Sequence, residues 1–458
     1  MPGRTKERTT YRCSECGLSV PRWVGRCPEC QAWGTIGEVG ASRTAAITAG
    51  PVSIDARPIG EIDVEAARAR PTGVGELDRV LGGGLVPGVV ALLAGEPGVG
   101  KSTLLLEVAS KFAAGGDQPA LVVTGEESAA QVRLRAERTG ALDPGLFLAA
   151  ETDLSALVSH VDRVKPGLLV VDSIQTISSA SVEGGVGGVT QVRAVAAALI
   201  GLAKERGIST VIVGHVTKDG SIAGPRLLEH LVDVVLQFDG EKHSSLRMVR
   251  AIKNRYGPAD EVGCFEIRDD GIVGLPDPSG LFLVDRPEPV PGTCVTVTVE
   301  GRRPLLAEIQ TLITDTSLTQ PRRPVSGLDS ARVSMVIAVL ERRAGMMLGR
   351  SDVFTATVGG MRVTEPAADL AIALALASSI RDTPLPGTLI ALGEVGLAGD
   401  VRRVGGVKRR LAEAARLGFA FALVPRGQGD NPPPGMRTIE VSDVVTAVRR
   451  SSGLHAVR

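Results

Sequence analysis

Apolar positions along this chain fall into short runs separated by segments of helical periodicity. Between residues 71 and 262 the runs lie at 89–94, 120–123, 168–171, 210–213 and 232–238. Short, almost wholly apolar strands alternating with helices predict a parallel sheet covered by helices. After residue 263 the pattern breaks into short β-like pieces punctuated by Pro276, Pro278, Pro287, Pro289 and Pro291. From about 292 it becomes mixed, with an alternating strand over 293–300, a helix over 330–343, a strand over 353–358 and an Ala/Leu helix over 367–380. The first 35 residues are rich in cysteine, and 36–70 lack long apolar runs and read as a linker. The predicted organisation is a small module (1–35), a linker (36–70), one α/β domain (71–285) and a second α/β domain (286–458), without internal repeats.

Composition narrows the partners. Of 458 residues, 51 are basic and 51 acidic, so net charge supplies no global attraction to nucleic acid and any such binding needs local patches. Aromatics are 3 %, which argues against broad base-stacking platforms. The longest smooth apolar stretch, 371–377, is too short to cross a bilayer, and the polar first ten residues are not expected to act as a secretory signal. A cytoplasmic protein with no membrane partner is expected.

The apolar run 89–94 leads into G-E-P-G-V-G-K-S: Gly95, Glu96, Pro97, Gly98, Val99, Gly100, Lys101 and Ser102, followed by Thr103 and a helix over 103–111. A strand, a glycine-rich loop ending in Lys-Ser and a helix make a P-loop. Backbone N–H groups and the helix N-terminus receive the phosphates of ATP, Lys101 pairs with the β- and γ-phosphates, and Ser102 ligates Mg²⁺. The run 168–171 ends in Asp172, a carboxylate placed to hold the same Mg²⁺. The run 120–123 ends in Gly125, Glu126 and Glu127 ahead of a helix over 128–138. Glu126, ahead of Glu127, is the candidate to orient or deprotonate the attacking water; the alternative is two solvated glutamates favouring the helix N-terminus. His215 closes the fourth run and is the candidate γ-phosphate sensor by position. The Gly- and polar-rich segments 178–191 and 217–225 read as loops that grip a partner.

Cys13, Cys16, Cys27 and Cys30 form two C-x-x-C knuckles ten residues apart, a spacing that places four thiolates around one Zn²⁺. Cys264 and Cys294 stand alone and are expected to be small buried hydrophobes.

The order of these elements resembles the RecA-like ATPases. Lys253, Asn254, Arg255, Tyr256 and Gly257 resemble the K-N-R-F-G signature of the bacterial RadA (Sms) DNA repair family, with Tyr256 in place of Phe. The four-cysteine knuckle, the P-loop, G-H-V-T-K (214–218) and I-A-G-P-R-x-L-E-H (222–230) resemble that family in the same order. The resemblance implies a RecA-like core with an N-terminal zinc finger and a C-terminal Lon-protease-like domain of ribosomal S5-like α/β fold. It implies an ATP-driven motor of homologous recombination, DNA damage repair and stress response, nucleoid-associated, that assembles as a homohexamer. Such a motor binds single-stranded and branched DNA and extends RecA-made joints by branch migration. Lys253 and Arg255 would then reach a neighbouring subunit's nucleotide as a trans clamp.

The last domain resembles the proteolytic domain of Lon, which uses a serine–lysine dyad. Ala367, in Glu365-Pro-Ala-Ala-Asp369, lies where Lon carries its serine, and Lys408 matches the dyad lysine. Without the hydroxyl no proteolysis is expected. Lys408 sits among Arg402, Arg403, Arg409 and Arg410, a run that is either a solvated face or a DNA-facing patch. The candidate DNA contacts are Gln191, Arg193, Lys218, Arg226, Arg402, Arg403 and Lys408. Two other functions compete with the motor: a nucleotide-gated assembly ATPase without motor activity, and an ATP-dependent protease.

Overall fold

The computed structural model describes residues 10–39, 58–61, 64–116, 118–215, 226–240, 245–284, 286, 288–318 and 320–456. Internal packing divides the chain into two units, Met1–Asp63 and Val64–Arg458.

In the first unit, β1 (Thr10–Cys13), β2 (Ser19–Val20) and β3 (Ile36–Val39) form an antiparallel sheet in the order β2-β1-β3. Its core is minimal, with Cys13, Cys27 and Ile36 buried and Tyr11, Leu18, Val20 and Val24 packed around them. The expected module end at residue 35 falls inside this sheet. Ile36 to Val39 pair in register with Cys13 to Thr10, so the ribbon runs through Val39.

The second unit opens with α1 (Gly75–Leu81), β4 (Val90–Gly95), α2 (Lys101–Gly115), β5 (Ala120–Thr124), α3 (Ala129–Thr139), β6 (Leu146–Ala150), α4 (Leu154–Val164) and β7 (Leu168–Asp172). It continues through α5 (Val189–Arg206), β8 (Ser209–His215), α6 (Arg226–Leu231), β9 (Val234–Asp239), β10 (Leu246–Asn254), β11 (Val262–Arg268) and β12 (Gly271–Gly274). The nine strands order as β12-β11-β10-β9-β4-β8-β7-β5-β6, parallel from β9 to β6 with an antiparallel extension of β10 to β12. Alternate residues of the central strands feed opposite cores. Val90, Leu92, Leu169 and Val171 meet α4 and α5 on one face, while Ala91, Leu93, Leu168 and Val170 meet α1 and α2 on the other. Burial on both faces is why these strands read as unbroken apolar runs. Helix starts follow local chemistry: Ser128 and Gln131 form a reciprocal capping box for α3, and the Asp153 carboxylate caps α4.

The C-terminal part holds β13 (Thr293–Glu300), β14 (Arg303–Asp315), β15 (Val325–Ser326), α7 (Ser330–Ala344), β16 (Ser351–Thr357), α8 (Asp369–Ile380), β17 (Leu389–Ala391), β18 (Glu394–Val395) and β19 (Val401–Arg402). It ends with α9 (Val407–Arg416), β20 (Phe421–Pro425), β21 (Arg437–Val441) and α10 (Val444–Ser452). A seven-stranded mixed sheet, β15-β16-β14-β13-β17-β20-β21, packs against α8, every residue of which is buried from 369 to 378.

The predicted boundary near 285 marks a change of topology and no gap in packing. Leu246, Val262 and Cys264 share one core with Phe282, Leu305 and Ile309. At the foot of β14, Arg303 pairs with Glu76 of α1 and donates to the carbonyls of Val262, Leu275 and Pro276 at 3.3, 3.1 and 2.6 Å. Glu76 also accepts the Cys264 N–H at 2.8 Å, and Arg303 and Glu76 are 4 % and 5 % exposed. Cys264 and Cys294 are buried among apolar side chains, as expected.

Candidate active site

Parallel registry brings the predicted residues to one edge. Gly95 of β4 lies beside His215 of β8, and Thr124 of β5 lies beside Asp172 of β7, so the P-loop, Glu126, Asp172 and His215 leave the sheet together at the C-terminal ends of its strands. The loop between β4 and α2 depends on its glycines. A Cβ at Gly95 would lie 2.4 Å from the Phe238 carbonyl oxygen, and Gly100 has φ 110° with Ile272 Cδ1 2.7 Å from where a Cβ would stand. Lys101 is folded into this loop, its ammonium donating to the Gly95 and Glu96 carbonyls at 2.8 and 3.0 Å. Burial lowers its pKa, while the charges of Asp172 and Glu126 oppose that shift. The Asp172 carboxyl is pushed up by burial, against a hydrogen bond with the Ser102 side chain.

The two glutamates separate cleanly. Glu127 turns to Arg135, whose Nη2 lies 2.7 Å from its Oε2. Glu126 accepts the Ser173 hydroxyl at 2.5 Å and lies 2.7 Å from His215 Nε2, both on Oε1. Burial alone would raise the Glu126 carboxyl. The bonds to His215 and Ser173, with the charges of His215 and Lys101, outweigh it and hold this carboxyl below its ordinary value. His215 Nδ1 is buried with no hydrogen-bond partner among the described residues. Ser173, fully buried, went unremarked in the sequence. The available signal was a hydroxyl directly after the strand-ending aspartate. A carboxylate held by two donors on one oxygen, beside a cation-lined anion cradle, can position water against a terminal phosphate.

The K-N-R-Y-G motif lies at the other end of the sheet. Asn254 pairs with Val234 at the start of β9, whereas the P-loop's Gly95 pairs with Phe238 near its end, separated by roughly 13 Å of strand. Its polar groups hold partners within the chain. Lys253 Nζ donates to the Glu229 and Val232 carbonyls at 2.8 and 2.7 Å, Asn254 Nδ2 to the Leu81 carbonyl at the end of α1 at 3.2 Å, and Arg255 pairs with buried Asp233 at 3.1 Å. Tyr256 is 46 % exposed.

The DNA candidates scatter. Gln191 is corrected outright: it is 3 % exposed, and its amide bonds the Ser179 N–H at 2.9 Å and the Ser179 and Val182 carbonyls, organising the segment before α5 instead of facing a ligand. Arg193 is exposed on α5. Lys218 and the Arg226 side chain lie outside the described residues. Arg402 is exposed but paired with Asp400 at 2.7 Å, Arg403 donates to the Arg426 carbonyl at 3.4 Å, and Lys408 is exposed. Their neighbour Arg410 leaves the patch, buried against both oxygens of Glu365 at 2.6 and 2.7 Å. Ala367 is buried at 3 % exposure.

In the ribbon, the sulfurs of Cys13, Cys16, Cys27 and Cys30 lie within 4.8 Å of one another, with Cys13–Cys30 at 3.7 Å and Cys16–Cys27 at 3.5 Å. Tetrahedral Zn–S bonds of about 2.3 Å put sulfurs about 3.8 Å apart, so the four thiols fit a zinc ion.

Residues 60–221 match the model of the AAA domain, 11–38 that of the rubredoxin metal binding domain, and 354–433 that of the Lon protease (S16) C-terminal proteolytic domain. Fold and site define an AAA-type P-loop ATP hydrolase joined to a metal ribbon and a Lon-type domain. Along nearly its whole length the chain is similar to the DNA repair protein RadA of Mycolicibacterium smegmatis, 54 % identical over 97 % of both chains. RadA of Bacillus subtilis is 44 % identical over 98 % of this chain and 99 % of its own, and RadA of Streptococcus pyogenes serotype M1 is 44 % identical over 96 % and 98 %. The chain belongs to the RadA family of DNA repair proteins. Among the described residues no helix is long and apolar enough to cross a membrane.

Proposed function

We propose that the chain is a DNA-stimulated ATPase motor that works as a homohexameric ring and drives branch migration of RecA-made recombination intermediates. In this reading Lys101 trades the Gly95 and Glu96 carbonyls for the β- and γ-phosphate oxygens of ATP. Ser102 and Asp172 hold Mg²⁺, which when bound neutralises phosphate charge. Glu126, kept ionised by Ser173 and His215, aligns a water with the γ-phosphorus; the P–O bond to the β-phosphate breaks, giving ADP and phosphate. His215 touches the same carboxylate and so senses the change.

The observation that carries the ring is the position of K-N-R-Y-G at the far end of the sheet from its own P-loop. In this reading Lys253 and Arg255 exchange the Glu229 and Val232 carbonyls and Asp233 for a neighbour's nucleotide and act as trans groups. With Ala367 in the serine's place, Lys408 has no nucleophile to activate, and the Lon-type domain serves ring scaffolding and DNA contact rather than proteolysis. The test is ATP turnover with and without single-stranded DNA beside a three-strand branch-migration assay. Stimulation with migration is expected; turnover indifferent to DNA would favour a nucleotide-gated assembly ATPase. Doping Arg255→Ala chains into wild-type rings is expected to depress activity more than dilution does, and strictly proportional loss would remove the trans role.

A further inference from the structure

The chain has two tryptophans in 458 residues, and both stand on the metal ribbon in solvent, Trp23 at 61 % and Trp33 at 74 % exposure. Elsewhere in the chain Phe238, Phe265 and Phe282 are among the most completely buried side chains, and the more exposed rings Phe147 and Tyr256 reach only 44 % and 46 %. A Cβ on Gly25 would lie 3.7 Å from Trp23 Cη2 and 3.9 Å from Trp33 Cζ3, so both indole edges meet over one glycine. The Arg26 guanidinium carbon lies 5.6 Å from the Trp33 ring centre, a cation–π distance, and its Nε is pinned to the Gln31 carbonyl at 2.9 Å.

The platform is tied to the metal site. Arg26 and Trp33 are bridge partners, Gly34 N–H bonds the Gly25 carbonyl at 2.9 Å, and Cys27 N–H bonds the Ala32 carbonyl at 2.9 Å. The second cysteine knuckle therefore fixes the backbone that carries Trp33 before anything binds, which cuts the ordering cost there. Two neighbouring exposed indoles leave a large apolar surface in water, the mark of a contact site.

Charge selects the kind of contact. Residues 10–39 hold Arg12, Arg22 and Arg26 against Glu15, Glu29 and Glu38, and four thiolates on one Zn²⁺ add about −2, so charge does not draw a phosphate backbone here and affinity has to come from the rings. Flat rings with a guanidinium on one of them suit π faces, and every nucleobase has one. We propose that Trp23 and Trp33, with Arg26, form a stacking site for the unpaired bases of single-stranded DNA. This site rests on the reading of DNA as the chain's partner given above, and it gives the ribbon a ligand besides its metal.

The two tryptophans make the site its own reporter, since intrinsic tryptophan fluorescence of the zinc-loaded full chain arises there alone. Titration with oligo-dT is expected to quench it saturably. Trp33→Ala or Trp23→Ala is expected to lower oligo-dT affinity about tenfold, with Trp→Phe variants retaining most of it. Because stacking leads, the affinity lost in the alanine variants should be much the same at low and high salt. ATP turnover without DNA and zinc content should not change, which separates the effect from misfolding. Quenching absent while single-stranded DNA still stimulates ATP hydrolysis would overturn this site and leave the motor reading standing. Quenching by a protein partner such as RecA, with none by oligo-dT, would overturn it in favour of protein docking. No DNA binding by any readout would overturn the motor reading and this site together.

Discussion

The ATPase edge and the Lon-type domain are both α/β structures with polar groups gathered around a helix start, yet the two treat those groups differently. At the ATPase edge the partners are incomplete or exchangeable: Lys101 rests on loop carbonyls, His215 Nδ1 has no partner among the described residues, and Glu126 concentrates its donors on one oxygen. In the Lon-type domain the acids beside Ala367 are consumed internally. Glu365 is bidentate with Arg410, and Asp369, at the start of α8, is bound by Arg332 and by the Val395 N–H at 3.1 Å. Asp369 is fully buried, where an unpaired charge would cost several kcal/mol, so Arg332 is a structural requirement. The nucleotide edge keeps polar capacity in reserve, whereas the Lon-type domain closes its charges on one another.

The comparison breaks most visibly at Lys101. Lys101→Ala is expected to lower ATP turnover by roughly a thousandfold while leaving the circular dichroism spectrum unchanged, because the side chain faces the ligand. Wild-type phosphate release from that variant would remove the P-loop assignment. Next in size, Arg303→Met leaves Glu76 buried without its cation and is expected to cost about 3–5 kcal/mol of stability, measured by urea unfolding. Loss below about 1 kcal/mol would mean that the two α/β parts are held by their apolar core alone.

A smaller effect is expected at Ser173. Ser173→Ala removes one of the bonds that hold the Glu126 carboxyl low, and turnover should fall roughly tenfold with KM for ATP nearly unchanged. The pH profile gives the sign. The acid loss due to Glu126 should lie below the ordinary carboxylate range, and that due to Asp172, whose carboxyl burial pushes up, above it, so the Glu126 limb is read at saturating Mg²⁺. In Ser173→Ala the acid loss should move to higher pH; an unmoved acid limb would make the serine merely a packing group. The smallest change is expected at Ala367→Ser. Restoring the hydroxyl should yield no casein cleavage, because Lys408 is exposed while the nearby acid is locked to Arg410. Measurable cleavage would show that the Lon-type site had kept its reserve after all.

Much of the ATPase was legible in the chain because its signals are local. Unbroken apolar runs report strands buried on both faces, and the P-loop's glycines, lysine and serine act over eight consecutive residues. The run over β6 was equally legible, since Leu146 to Ala150 are all apolar; what the chain did not show is that this strand sits at the sheet edge, with Phe147 44 % exposed. Gln191 was misplaced because a polar residue beside a glycine-rich segment reads the same whether it faces solvent or ties that segment together.

By itself the sequence determined the strand–helix alternation, the anion cradle and the four-thiol metal site, all properties of residues near one another in the chain. Tertiary structure alone decided what depends on registry between distant strands. It set Ser173 and His215 on one oxygen of Glu126, and it put the K-N-R-Y-G motif at the far end of the sheet from the P-loop. It also joined the two α/β parts through Arg303 and Glu76, residues 227 apart in sequence. Hydrogen bonds and ion pairs act over a few ångströms, and only the folded sheet brings such residues that close.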